Sequence, residues 1–371
     1  MIQKLRFVIL EFVAIFLHFL PSKTKKEFDL SIVRVDALGD YVLWLDALEA
    51  YKAKYSGKRV LLVCADINQP LAEVEPFFTE VISFNRKRME RDATYFLAKI
   101  MELRKISSSQ VIYPVWQRHR IGEIFTMTIT SKDKIGMQCA DEQGLMSRFY
   151  DRLYTRIISK PKSKSELLSI EHFTKQLLSP QYNYGMKKLL IGNINYAIPD
   201  HEYFVISFSA SSSYKIWPVE NFISVINVIP DKYKVVILGV GADDGIRAQK
   251  ICDSVLNKEQ LINYVNKTSV LEMIYIISKA FFVIGNDSAA VHIAFATRVQ
   301  SICILSGAHY ERFLPYPENI SNHNFAPHCI YNKMECFGCN YNCKYPINKC
   351  YRCLSMVSPK TVIDELKAML N

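Results

Sequence analysis

The chain has 371 residues, half of them apolar and 12% aromatic, with a formal net charge of +10. This length is sufficient for two domains with separate cores, and the composition excludes a disordered protein. The positive charge favours anionic partners such as nucleotides, phosphorylated glycans or acidic membranes. The basic residues form short groups without interleaved aromatic residues, so we expect no nucleic-acid partner.

Residues 1–27 form a separate apolar segment. Residues 7–20 are nearly all apolar, and Pro21 ends the run. The run is short for a transmembrane helix, which needs about 20 apolar residues. Lys4, Glu11 and His18 are spaced by seven, which predicts a narrow polar stripe along a helix.

The basic residues after this run support a membrane-surface helix. Lys23, Lys25 and Lys26 follow it closely. We therefore predict that the helix lies on an anionic membrane, which places the protein on the inner face of the cytoplasmic membrane. A short signal anchor and a helix packed on the protein's own core are the alternatives.

Apolar β-branched runs alternate with helical patterns in residues 28–198. Strands are predicted at residues 30–35, 59–64, 81–84 and 110–115, and helices at 41–55 and 93–103. This alternation predicts a parallel sheet with helices on both faces. Residues 131–200 are more polar and less periodic, with a loop expected at residues 160–165.

The alternation restarts in residues 199–328. Strands are predicted at residues 203–208, 234–238, 281–284 and 301–305, and helices at 219–228, 269–279 and 289–296. We therefore predict an α/β protein with two Rossmann-like domains facing a central cleft and a boundary near residues 198–201. Residues 329–371 form a cysteine-rich segment and a final helix at 359–370.

The motif Arg34-Val-Asp-Ala-Leu-Gly-Asp40 follows the first predicted strand. Gly39 permits a tight turn and the close approach of a ligand. Ligands of open α/β sheets bind at the carboxyl ends of strands, so Asp40 is a candidate catalytic acid, and a helix cap is the alternative. Arg34 and Asp36 are candidates for the same site, although Arg34 is also compatible with an exposed edge position.

A serine-rich loop, Ser209-Ala-Ser-Ser-Ser-Tyr-Lys215, follows the first strand of the second domain. The hydroxyl groups of Ser209 and Ser211, the backbone amides and the charge of Lys215 are suited to phosphate binding. A flexible serine loop without a ligand is the alternative.

A glycine turn follows the next strand, at Gly239-Val-Gly-Ala-Asp-Asp-Gly245. It resembles a nucleotide-binding turn only in part, because the spacing differs from GxGxxG. Gly239, Asp243 and Asp244 are candidates for contact with a ribose or a base, and capping of the next helix is the alternative.

A helix start is predicted at Asp287 and Ser288, where backbone amides can bind phosphate. His292 lies four residues after Ser288 and therefore on the same helix face. We predict that His292 faces the ligand, although a lone helical histidine is more often structural.

Six of the ten cysteines fall between Cys329 and Cys353. Two CxxC pairs, with ten residues between them, have the spacing of a zinc site. The candidate ligands are Cys336, Cys339, Cys350 and Cys353. Because no cleavage site follows the apolar segment, we expect a reducing compartment, where thiols or a structural zinc are favoured over disulfides. Reduced, packed cysteines are the alternative to zinc.

Together these motifs resemble the ADP-heptose:lipopolysaccharide heptosyltransferase family, glycosyltransferase family 9. The resemblance rests on the Arg34–Asp40 motif, on Lys215-Ile-Trp-Pro218, on Gly285-Asn-Asp-Ser-Ala-Ala-Val-His-Ile-Ala294 and on the cysteine-rich end. It covers most of the chain from about residue 30, and the combination and order of the motifs are more specific than any one of them.

The resemblance implies a GT-B fold with the acceptor in the first domain and the nucleotide-sugar donor in the second. It implies an inverting transfer that requires no metal or other cofactor. Asp40 matches the family's catalytic acid and would remove the proton from the acceptor hydroxyl. Lys215 and the Asp287–His292 helix start would bind the diphosphate. The implied donor is ADP-heptose or a related sugar nucleotide, and the acceptor is lipopolysaccharide or another glycan or glycolipid.

The chain departs from the family pattern at some positions. Ala289 stands where family members often have glycine, and the apolar N-terminal helix and the polar middle are additions. These differences leave the sugar and the acceptor open. A sugar-nucleotide epimerase of GT-B architecture and a non-catalytic, membrane-bound glycan-binding scaffold are the alternatives. By the same resemblance, the final helix returns to the first domain, and the cysteine-rich segment lies outside the reaction centre.

Overall fold

The computed structural model describes residues 10–17, 25–139, 145–185, 187–192, 194–321 and 324–370. The chain divides into two compact units. The first comprises the chain up to Ser163 together with Leu168–Tyr184, and the second comprises Lys164–Leu167 and the chain from Gly185 onward. The division therefore falls earlier than the boundary predicted near residues 198–201.

The first unit contains a six-stranded parallel sheet in the order β3-β2-β1-β4-β5-β6. Its strands are β1 Lys26–Arg34, β2 Val60–Ala65, β3 Glu80–Phe84, β4 Ile106–Tyr113, β5 Lys134–Met137 and β6 Arg156–Ile158. All residues of β2 are buried, as expected for a parallel strand that is covered on both faces. Ile32 of β1 is aligned with Leu62 of β2 on one side and Ile112 of β4 on the other.

Helices follow most strands of the first unit. They are Leu38–Trp44, Leu48–Lys54, Gln69–Glu73, Arg86–Arg91, Ala93–Leu103, Arg120–Thr128, Leu145–Asp151 and Glu166–Leu177, the last shared with the second unit. The helix predicted at residues 41–55 is interrupted by a 3-10 turn, Leu45–Ala47, where Asp46 turns inward and accepts a hydrogen bond from Tyr182. The predicted loop at residues 160–165 is confirmed, but the polar middle also contains β5 and β6, which are too short to give a clear periodic pattern.

The second unit repeats the same topology. Its strands are β7 Tyr203–Ser207, β8 Lys234–Leu238, β9 Leu261–Asn263, β10 Phe282–Asn286, β11 Gln300–Ile304 and β12 His328–Ile330. They are parallel and ordered β12-β11-β10-β7-β8-β9. Counted within each unit, both sheets have the strand order 3-2-1-4-5-6 of dinucleotide-binding folds, which confirms the predicted fold class.

The helices of the second unit include the final helix of the chain. They are Val219–Ile226, Ala242–Ser254, Val270–Lys279, Ala289–Thr297, Glu318–Ser321, Arg352–Ser355 and Pro359–Leu370. Val362 and Leu366 of the final helix are buried in the hydrophobic core of this unit. The expectation that this helix returns to the first domain was therefore wrong, because its apolar side is buried within the second unit.

Residues 10–17 are helical and pack on the first unit. Leu10 and Ala14 belong to its hydrophobic core. Glu11 is fully buried, where it accepts hydrogen bonds from Arg120 Nε at 3.2 Å and from the Tyr150 hydroxyl at 2.8 Å. The predicted polar stripe therefore faces the protein at Glu11, since a buried carboxylate needs such partners.

The opposite side of this short helix is apolar and exposed. Phe12 is 59% exposed and Phe16 65%, and Val13 lies between them. Lys4, His18 and Lys23, which were also part of the membrane prediction, lie outside the described residues. Within the described ranges, no helix is long and apolar enough to cross a membrane.

Candidate active site

Arg34 organises the carboxyl edge of the first sheet. It is the last residue of β1, and its side chain is only 1% exposed. Its guanidinium lies 2.7 Å from Asp36 Oδ2, and it donates to the backbone carbonyls of Asp40 at 3.2 Å and Pro114 at 3.3 Å. The alternative of an exposed edge position was wrong, because β1 lies between β2 and β4.

Asp40 lies in the first turn of the helix Leu38–Trp44 and is half-buried. Ala37 occupies the N-cap position, so Asp40 is not the cap of this helix. A carboxylate in the first turn is favoured by the helix dipole. The Arg34 guanidinium lies 5.1 Å above the Trp44 ring, which links the end of β1 to the end of the helix that carries Asp40.

Lys215 and Asp287 lie at the carboxyl edge of the second sheet. Lys215 ends the 3-10 turn Ser213–Lys215 after β7, and Asp287 follows β10 directly. Burial raises the pKa of Asp287 to about 6, while the charges of Lys215 and Arg312 oppose that rise. Part of Asp287 remains accessible at the surface, so we attribute the raised pKa to the position of its carboxyl group below that surface.

The helix Ala289–Thr297 begins beside Asp287. Ser288 occupies its N-cap position, and the Ser288 side chain forms no capping hydrogen bond. The amides of such a first turn are a binding site for anions. The predicted helix start at Asp287 and Ser288 is therefore present, with two cations acting on it.

Asn286 fixes the loop that carries Lys215 against β10. Its Oδ1 accepts from the Trp217 backbone N–H at 3.0 Å, and its Nδ2 donates to the Phe208 carbonyl at 2.7 Å. Asn286 is 1% exposed, so these bonds replace water for a buried amide. At Gly285, a Cβ atom would lie 2.9 Å from the Ser207 carbonyl oxygen, which explains the glycine beside β7.

Arg312 is a site residue that the sequence motifs did not indicate. Its guanidinium lies 4.5 Å from the centre of the Phe313 ring and 3.6 Å from Glu166 Oε2. The Glu166 backbone N–H also donates to the Arg312 carbonyl at 2.8 Å. Arg312 therefore has a fixed position from which its charge acts on Asp287.

His292 does not supply the expected positive charge. It is 4% exposed, and its Nδ1 shares a hydrogen bond of 2.7 Å with the Tyr316 hydroxyl. Burial lowers the pKa of His292 to about 4, so the ring is neutral at pH 7. The expectation that histidine contributes to a positive environment is corrected here, and Arg312 is the additional cation near Asp287.

Ser209 and Asp244 bind each other. The Ser209 hydroxyl donates to Asp244 Oδ2, which also accepts from the Val240 backbone N–H at 3.0 Å, and Arg247 pairs with Oδ1 at 2.9 Å. Gly239 permits this contact, because a Cβ atom there would lie 3.0 Å from the serine Oγ. These bonds favour the structural alternative for Ser209 and Asp244, whereas Ser211 and Asp243 are exposed.

The cysteine-rich segment packs against the loop after β11. At Gly307, a Cβ atom would lie 2.1 Å from the Phe337 ring, and the Gly338 backbone N–H donates to the Gly307 carbonyl at 2.7 Å. Tyr341 of the same segment lies beneath Lys215, whose Nζ is 3.7 Å from the ring centre. The segment therefore contacts a candidate phosphate-binding residue, and its expected position outside the reaction centre stays a prediction.

The arrangement of the cysteine side chains bears on the predicted zinc site. All ten are free thiols, and Cys350 is buried in the core of the second unit. Among the described residues, no group of three or more His, Cys, Asp or Glu side chains is arranged to hold a metal ion. Zinc binding by Cys336, Cys339, Cys350 and Cys353 therefore stays a prediction, with reduced, packed cysteines as its alternative.

A family model, glycosyltransferase family 9 (heptosyltransferase), matches residues 124–340, which is more than half of the chain. The chain belongs to glycosyltransferase family 9. It is 29% identical over 168 residues to lipopolysaccharide heptosyltransferase 3 of Escherichia coli (strain K12). That match covers 45% of this chain and 48% of the relative, so it spans about half the length of the curated protein.

Solved structures of family 9 members share the fold. A family 9 glycosyl transferase from Veillonella parvula is 17% identical, with a TM-score of 0.67, covering 94% of this chain and 98% of that one. The E. coli heptosyltransferase WaaC with ADP is 16% identical, with a TM-score of 0.64, covering 93% and 98%. At these identities, the likeness supports the GT-B architecture of two Rossmann-like units.

In this family 9 chain, the sequence motifs predicted which loops carry the candidate site residues but did not predict the contacts between those loops. Lys215, Asp287 and Ser288 lie at the carboxyl edge of the second sheet, as predicted. Asp40 lies with Arg34 and Asp36 at the carboxyl edge of the first sheet. Arg312 and Tyr341 were missed. The only available signal was a mixture of aromatic and basic residues after β11, which is also common at ordinary protein surfaces.

Proposed function

We propose that the protein is an inverting glycosyltransferase that moves a sugar from a nucleotide-sugar donor to lipopolysaccharide or another cell-surface glycan. Heptose is the sugar favoured by family membership, and the ADP bound in WaaC favours an ADP-linked donor. The observation that carries the proposal is the cationic helix start of the second unit, where Lys215 and Arg312 act on Asp287.

The donor diphosphate is proposed to bind at this helix start. Its charge would be balanced by Lys215, Arg312 and the backbone amides of the first turn after Ser288. The same groups would stabilise the negative charge that develops on the leaving diphosphate. The proposed reaction thus draws its electrostatic stabilisation from protein groups and needs no metal ion.

Asp40 is proposed as the general base. Its carboxylate takes the proton from the acceptor hydroxyl as that oxygen bonds to the anomeric carbon on the face opposite the diphosphate. The bond from the anomeric carbon to the diphosphate oxygen breaks at the same time, and the nucleoside diphosphate leaves with the electron pair. Arg34 positions this turn through the Asp40 carbonyl, at 3.2 Å, rather than through the carboxylate.

A screen of sugar nucleotides on the full chain tests the proposal. A donor present at 100 times its Kd stabilises the fold by about 2.7 kcal/mol, which raises Tm. We expect one ADP-sugar to stabilise the protein and to release ADP only when a glycan acceptor is added. Conversion of the sugar nucleotide without acceptor would indicate an epimerase, and binding without any turnover would indicate a scaffold.

We also propose that the protein binds the inner face of the cytoplasmic membrane through the exposed apolar side of residues 10–17. Phe12, Val13 and Phe16 face outward, while buried Glu11 attaches the helix to the first unit. Apolar side chains presented by a docked helix are suited to insertion at a lipid interface.

Vesicle sedimentation tests this attachment. We expect the double variant Phe12→Ser, Phe16→Ser to lose most of its binding to anionic vesicles while retaining its Tm. The matched control is Leu190→Ser, Leu256→Ser, which replaces two leucines of the second unit that are more exposed than the two phenylalanines. Equal sedimentation of the two double variants would contradict the attachment.

A further inference from the structure

Tyr341 has an unusual backbone for a tyrosine that contacts a candidate ligand-binding lysine. Asn340 and Tyr341 have φ values of 49° and 63° in the left-handed region. Consecutive non-glycine residues rarely adopt this conformation, which costs free energy unless the surrounding structure enforces it. The ring that it places beneath Lys215 lies 3.7 Å from Nζ.

The surroundings of Tyr341 enforce this position. The Asn340 backbone N–H donates to the Ala308 carbonyl at 3.0 Å, and His309 Nε2 donates to Asn340 Oδ1 at 2.7 Å. The His309 ring meets the Tyr341 ring edge-on, with centroids 4.5 Å apart, and the Tyr351 ring lies 5.6 Å away on another side. The ring is thus held by the loop after β11 and by its own segment.

We propose that Tyr341 is a positioning residue that holds the Lys215 ammonium in place for the donor diphosphate. This inference rests on the proposed function. A lysine side chain has about four rotatable bonds and loses rotamer freedom when it binds a ligand. An aromatic face attracts the ammonium group and leaves its positive charge in place, whereas a carboxylate partner would neutralise that charge. The cysteine-rich segment thereby belongs to the donor site through an aromatic ring rather than through a thiol.

Substitution of Tyr341 separates the ring from the hydroxyl group. We expect Tyr341→Leu to weaken ADP binding about tenfold, because the ring then no longer restricts the Lys215 side chain before the ligand binds. Tyr341→Phe should retain wild-type affinity, since the ring remains. The matched control is Tyr345→Leu in the same segment, where Lys344 and Arg352 lie 5.5 Å and 5.0 Å from the ring centre. This control should bind ADP as the wild type does.

A double-mutant cycle tests whether Tyr341 acts through Lys215. In a Lys215→Met background, Tyr341→Leu should have no further effect on ADP affinity. A full tenfold loss in that background would mean that Tyr341 only supports the fold near the site, and the inference would be wrong. Unchanged or tighter ADP binding by Tyr341→Leu alone would also overturn it, since the ring would then be irrelevant to the ligand or would compete with it.

Two further measurements keep the test decisive. If Tyr341→Leu does not fold, a ring-fluorinated phenylalanine at position 341 keeps the shape and weakens the attraction of the ring face for a cation. It should bind ADP more weakly than Tyr341→Phe, and equal affinity would overturn the inference. If the wild-type chain binds none of ADP, GDP and UDP, the proposed function itself fails. Binding by the wild type with no effect of Tyr341 would reject the inference alone.

Discussion

The carboxyl edges of the two sheets have the same topology and opposite charge arrangements. In the first unit, a buried cation, Arg34, is surrounded by the carboxylate of Asp36 and two backbone carbonyls. In the second unit, a carboxyl group below the surface, Asp287, lies within the field of Lys215 and Arg312. The strand order is shared, so the difference is a property of the loops.

This difference assigns distinct chemistry to the two edges. At the first edge the arginine charge is used within the protein, and the chemistry proposed there is proton transfer to the Asp40 carboxylate. At the second edge the cations and helix amides are suited to a diphosphate. The comparison predicts that substitutions at the first edge change turnover, whereas those at the second change nucleotide affinity.

The largest expected effect is on turnover at the first edge. We expect Asp40→Asn to reduce transfer by a factor of about 100 to 10,000, because the amide keeps the shape but cannot accept the proton. ADP affinity, measured by calorimetry, should not change. Asp66→Asn, after the neighbouring strand β2, is the matched control. Near-normal transfer by Asp40→Asn would exclude Asp40 as the base.

Next in size is the loss of nucleotide affinity at the second edge. Lys215→Ala and Arg312→Ala should each weaken ADP binding by about 1.5–3 kcal/mol, the usual value of a charge-assisted hydrogen bond. Lys232→Ala is the control, because Lys232 also lies over a tyrosine ring, that of Tyr233 at 4.8 Å. If all three variants bind ADP equally, the diphosphate site lies elsewhere.

The sequence predicted the parts of the fold that depend on local patterns. Strands β7, β8, β10 and β11 are buried and rich in β-branched residues, and each was predicted to within a few residues. Strands β6, β9 and β12 have three residues each and no periodicity, so only their pairing in the sheet identifies them. Local pattern is therefore sufficient for strands of five or more residues, including the edge strand β3, and insufficient for strands of three or four residues.

Contacts between distant residues limited the prediction of the site. The Asp287 motif indicated a helix start, but Arg312 and Tyr341 come from later loops whose positions depend on tertiary packing. His292 was predicted to face the ligand because it shares a helix face with Ser288, yet that face is buried in this unit. Sequence spacing predicts which residues share a helix face, but it does not predict whether that face packs against the protein or is open to a ligand.

The neutral state of His292 leads to a prediction for stability. Its pKa is about 4 in the folded state and about 6.5 when unfolded, so the unfolded chain binds more protons between these values. The contribution of neutral His292 to the free energy of unfolding is present above pH 6.5 and is lost as the pH falls towards 4. We expect a loss of about 1.4 kcal/mol at pH 5.5 from this group.

Denaturant unfolding between pH 7.5 and 5 measures this loss. The variant His292→Gln should show a smaller decrease in stability over this range than the wild type, whatever its absolute stability. His328→Gln is the control, because His328 is largely exposed and pairs with Glu365 at the surface. An unchanged pH dependence in His292→Gln would mean that His292 takes up a proton as readily in the folded protein as in the unfolded chain, so that burial does not keep its ring neutral.

The smallest expected effect concerns Asp287 and nucleotide affinity. Its pKa of about 6 lies above the ordinary value of 3.8, so the carboxyl group becomes neutral as the pH falls through 6. Loss of this negative charge removes its repulsion of a bound diphosphate, whereas Lys215 and Arg312 remain charged. We expect Asp287→Asn to bind ADP severalfold more tightly than the wild type at pH 7.5 and equally at pH 5.

Calorimetry of both proteins at pH 7.5 and pH 5 measures this difference. The titration of ADP itself cancels, because the two proteins are compared at the same pH. If the two proteins differ by the same factor at pH 7.5 and pH 5, Asp287 does not titrate in this range, and the contrast between the two edges rests on Lys215 and Arg312 alone.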